Sequence, residues 1–130
     1  MTEIKMTFDF KNSSPETLAE ELKNYHFADS IDIINDLDIM ERVAILSLLP
    51  LDYTIELFDK PELEQPAAIL ELLPVNRSVE ILDGMSADAA ADVFQEMDKE
   101  TRTRLYALLK PLTRAELKNL PVTLIIQQVH

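Results

Sequence analysis

The chain has 130 residues, a length suited to one domain, and 47% of them are hydrophobic, enough for a core of ordinary size. Its formal charge of −12 repels nucleic acid and anionic lipid and favours cations or a basic partner. There is no cysteine for disulfides or thiolate metal sites, one glycine against seven prolines argues against a turn-rich sheet protein, and no apolar run approaches the ~20 residues that span a bilayer.

Residues 1–12 are expected to form a loose arm and residues 13–130 a single helical domain. A first helix is predicted over 15–24, with Ser14 as its cap and Pro15 at its first position. Helices over 28–37 and 39–49 follow, and His26, between Tyr25 and Phe27, reads as a loop residue joining the first two helices. The next helix, over 53–59, takes Asp52 as its cap. Pro66, after Gln65, opens a helix over 66–73, and Asn76 caps one over 77–83 that stops at Gly84. Ser86 and Asp98 cap helices over 87–97 and 99–109. Thr113 to Glu116 match a capping box, which places a last helix over 114–119. The tail 121–129 suits either a strand or a helix.

These elements repeat with a period of ~24 residues, short enough for a solenoid unit. "RVAILSLLP" ends at Pro50 and "PAAILELLP" at Pro74, and the same offset pairs Ile55 with Val79, Glu56 with Glu80 and Leu57 with Ile81. One further step puts Ile69 on Val93, Leu70 on Phe94 and Leu73 on Met97. Each unit reads as two short helices. Helices of two to three turns are not stable alone, so each must bury its apolar stripe on its neighbours. The expected architecture is all-α, a right-handed superhelix of helix pairs. Ala44, Ile45, Leu48 and Leu49 form one inward stripe, and Ala90, Val93, Phe94 and Met97 another. The phenylalanines and methionines on such stripes read as core fillers.

Chemistry finds few candidates. The only histidines are His26 and His130, the single glycine excludes a phosphate-cradling loop, and zinc spacing is absent, so no enzyme is expected. That leaves carboxylates. Asp88 and Asp92 lie one turn apart, ~40° around the axis of one helix, while Ala90, Val93 and Met97 point the other way. Two like charges so placed cost a few tenths of a kcal/mol. The helix dipole offsets part of this at Asp88 and less at Asp92. The alanines around them leave room for a second surface. A hard divalent ion suits such a pair, since Mg²⁺ keeps several waters and commonly takes only one or two carboxylates.

"AAILELLP" followed by "VEILDGMSADAAADVFQEMD" resembles the cytosolic N-terminal domain of the MgtE family of magnesium transporters and channels. The resemblance runs from about residue 15 to about residue 118, and "MSADAAAD", residues 85–92, is its most specific part. It implies a superhelix of short helices on the cytoplasmic side of the inner membrane. It also implies partner CBS and transmembrane domains of the same transporter, which this sequence does not contain, and a homodimer formed through the full-length protein. No contact with nucleic acid and no direct contact with membrane is implied. In the family, Mg²⁺ bound between the acidic faces of the N-terminal and CBS domains holds the pore closed. The family acids fall on Asp88 and Asp92, and one from the preceding repeat falls on Glu56. With the partner domain missing, half of the ligands are missing, and Mg²⁺ binding by the chain alone is expected to be millimolar or poorer. The competing reading is a protein-interaction scaffold without an ion role, like the short-helix superhelices of the flagellar motor switch protein FliG.

Overall fold

A computed structural model describes residues 12–117, and every regular element among them is a helix. They are α1 (Pro15–Leu22), α2 (Phe27–Asn35), α3 (Ile39–Leu48), α4 (Leu51–Phe58), α5 (Pro66–Leu72), α6 (Val75–Gly84), α7 (Ala87–Glu96), α8 (Lys99–Leu108) and α9 (Pro111–Leu117). The expected arm over 1–12, apart from residue 12, and the tail 121–129 lie outside the described residues.

Apart from α5, the helices start on one evenly spaced series, at positions 15, 27, 39, 51, 75, 87, 99 and 111. The start of α5 is delayed to Pro66 by the turn through Gln65, which takes the left-handed conformation at φ 57°. Each helix packs chiefly on the one two places along: α1 on α3, α3 on α5, α5 on α7 and α7 on α9, with α2, α4, α6 and α8 in a parallel series. One repeat of the sequence thus corresponds to one helix from each series. Leu22, Leu46, Leu70 and Phe94 occupy equivalent places in successive repeats and are all fully buried.

Local chemistry sets the helix starts. Ser14, Ser86 and Asp98 each accept an N–H of their own first turn, as expected. Asp38 and Glu41 form a complete capping box on α3, with bonds of 2.9 and 3.1 Å. Elsewhere proline overrides the expected caps. Pro50 and Pro74 are the caps of α4 and α6, so Asp52 and Asn76 lie inside the first turn. Pro111 opens α9, so Thr113 and Glu116 are helical and form no capping box. His26 caps α2 through Nδ1, which accepts the Ala28 N–H at 3.3 Å.

Gly84 is the last residue of α6, and its φ is not positive, so it makes no left-handed stop. Its role is close packing: a Cβ there would collide with the Ile55 side chain. Two apolar expectations also fail. Leu48 is exposed and Ala44 only half-buried, because Ile45 and Leu49 take the inward line of α3. Met40 is 62% exposed, although Phe58, Phe94, Met85 and Met97 are core residues.

Hydrogen bonds tie successive units together, and acidic side chains make several of them. Asp59 accepts the Ser86 N–H at 3.0 Å, Glu71 the Asp98 N–H at 2.9 Å and Asp83 the Lys110 N–H at 3.0 Å, all three at the same sequence separation. Asn35 does the same further back, accepting from the Glu64 N–H at 3.0 Å. Part of the negative charge therefore satisfies backbone donors near helix starts.

Candidate functional site

Helix α7 carries the acidic ridge. Its N-cap Ser86 Oγ accepts the Ala89 N–H, while the Ser86 N–H is held by Asp59 from the end of α4. Ala90, Val93 and Phe94 anchor the buried face. With rotation and start both fixed, Asp88 and Asp92 are exposed on the opposite line, and Glu96 continues that line one turn further.

The three acids border a cleft of 580 Å³ between α7 and the turn that joins α4 to α5. Phe58, Leu63 and Val93 contribute apolar wall, and Asp59 adds a fourth carboxylate. Lys60 is the one lysine or arginine on the lining. Asp88 and Asp92 are thus brought together as expected.

Glu56 is placed elsewhere. It is exposed on α4 and lines a neighbouring cleft of 500 Å³ with Lys23, Asp52 and Tyr53. Its link to the first cleft is Lys60, whose ammonium lies 3.9 Å from the Glu56 carboxylate. Both side chains are 39–51% exposed, so this ion pair contributes little to stability. The Lys60 ammonium also sits 5.3 Å above the Phe27 ring, within cation–π range.

The donor set is oxygen only, which suits a hard cation such as Mg²⁺ or Ca²⁺ and not zinc. No group of three or more His, Asp or Glu side chains among the described residues is close enough to enclose an ion. What the cleft offers is an open site: two carboxylates on one ridge, with the remaining positions left to water or a second surface. No described helix is long and apolar enough to cross a membrane.

The sequence reading missed Glu96 and Lys60. Glu96 had a signal, since it lies two turns beyond Asp88 on the same helical line. Lys60 had none, since the turn that brings it beside α7 is set by the Asp59–Ser86 bond between distant segments.

Comparison with known proteins is consistent between sequence and fold. The family model described as "MgtE intracellular N domain" matches residues 25–121. Among solved structures, the chain is similar to the cytosolic domain of the Mg²⁺ channel MgtE, solved in complex with ATP. That match has 33% identity and a TM-score of 0.69 over 81% of this chain. The chain spans 44% of the length of that structure. No curated protein matches.

Proposed function

The chain belongs to the family of MgtE intracellular N domains, and from that premise we propose that it is the Mg²⁺-sensing regulatory domain of an MgtE-type transporter or channel. Its helices wind as a right-handed superhelix beginning near residue 13, and the α7 ridge is the sensing face. Asp88 and Asp92 supply part of an ion site that CBS domains of the same transporter complete. Glu56, on the neighbouring cleft, contributes to a second point of the same acidic face.

The mechanism follows from charge. Without divalent ions, the ridge repels a facing acidic surface. Such repulsion is strong where the carboxylates are partly desolvated and weak in salt water. Mg²⁺ bridging the two surfaces replaces repulsion by attraction and favours the docked, closed arrangement. The ion acts as a switch because it binds that arrangement more tightly than the separated one.

The observation that carries this reading is the shared cleft of Asp88 and Asp92, exposed, oxygen-rich and bordered by one cation. The test is an amide NMR titration of the chain with MgCl₂ against NaCl of equal ionic strength. Mg²⁺-specific shifts centred on Asp88 and Asp92, saturating in the millimolar range or above, are expected. If those two amides stay still while others move, the site assignment is wrong.

A further inference from the structure

We draw no further inference here: the strongest candidate, the exposed apolar surface patch of Leu48, Leu72 and Val75 at the corners between α3 and α4 and between α5 and α6, carries none because nothing in the structure shows what covers it.

Discussion

Tyr53 and Arg77 occupy equivalent places in successive repeats and reach back to equivalent carbonyls. The Tyr53 hydroxyl lies 2.8 Å from the carbonyl oxygens of Leu22 and Tyr25, and Arg77 Nη2 donates to those of Leu46, at 3.1 Å, and Leu49. Each also meets a buried hydroxyl of the preceding unit, Ser30 for Tyr53 and Thr54 for Arg77. Two chemically different side chains thus satisfy the carbonyls left over at a helix end in matching positions. Burial lowers the pKa of the Arg77 guanidinium from its ordinary value, the mark of a cation held for its donors.

Removing either group should therefore destabilise the fold without touching the acidic ridge. Tyr53→Phe removes the one O–H that these two carbonyls share, while the Leu22 carbonyl still accepts from the Tyr25 N–H and Ser30 Oγ, and the change is expected to cost roughly 1–2 kcal/mol. Arg77→Met removes more donors and should cost at least as much. Urea unfolding measures both, and Mg²⁺ shifts at Asp88 and Asp92 should be unchanged in the folded variants.

Gly84→Ala separates two opposing effects. In an exposed helix interior the change gains up to ~1 kcal/mol. Here the new Cβ collides with Ile55 Cδ1 and approaches Cγ1 to 3.2 Å. A net loss of about 1 kcal/mol is expected. Ile55→Val deletes Cδ1, so in that background the alanine should be neutral or stabilising. An additive double-mutant cycle would contradict the packing role.

The three candidate acids should not weigh equally. Asp88→Asn with Asp92→Asn removes the shared pair and is expected to abolish Mg²⁺-specific thermal stabilisation, measured against NaCl of equal ionic strength. The same double variant should melt slightly higher without Mg²⁺, because an i,i+4 repulsion of a few tenths of a kcal/mol is gone. Glu56→Gln should leave most of the Mg²⁺ response of this chain, since Glu56 lies on a separate cleft.

The legible parts of this protein are those written in hydropathy. Ile45, Ile69 and Val93 share a register from repeat to repeat, and all three are buried. Ser30, Thr54 and Ser78 share a register too and are fully buried, but polar residues leave no mark in an apolar pattern. Paired leucines misled for the opposite reason. Leu48 is the last residue of α3 and is exposed, whereas Leu49 follows it as an extended C-cap and is the one that is buried. At the site, Asp88 and Asp92 were visible because one helix carries both. The position of Lys60 depends on a hydrogen bond between distant segments, and no local rule contains it.

Stability should depend on pH at both ends of the scale, through different residues. Asp98 caps α8, and the Thr101 N–H at 2.8 Å holds its carboxyl below the ordinary value. A depressed folded pKa gives stability that is present above the unfolded value and lost as pH falls through the folded one. Asp98→Asn keeps a capping oxygen but removes the titration, so the Tm of this variant should fall less steeply below about pH 4. Tyr25 is the mirror case. Burial, then its 3.0 Å bond to Glu21, pushes its pKa up to about 12. A raised folded pKa gives stability that is full below the unfolded value and lost as pH rises towards the folded one. Between pH 10 and pH 12 the chain should lose stability, and Tyr25→Phe should lose less over the same interval. Melting curves of the three proteins across pH measure both limbs. A Tyr25→Phe curve parallel to that of the unaltered chain above pH 10 would mean that the hydroxyl is as free in the fold as in the unfolded chain.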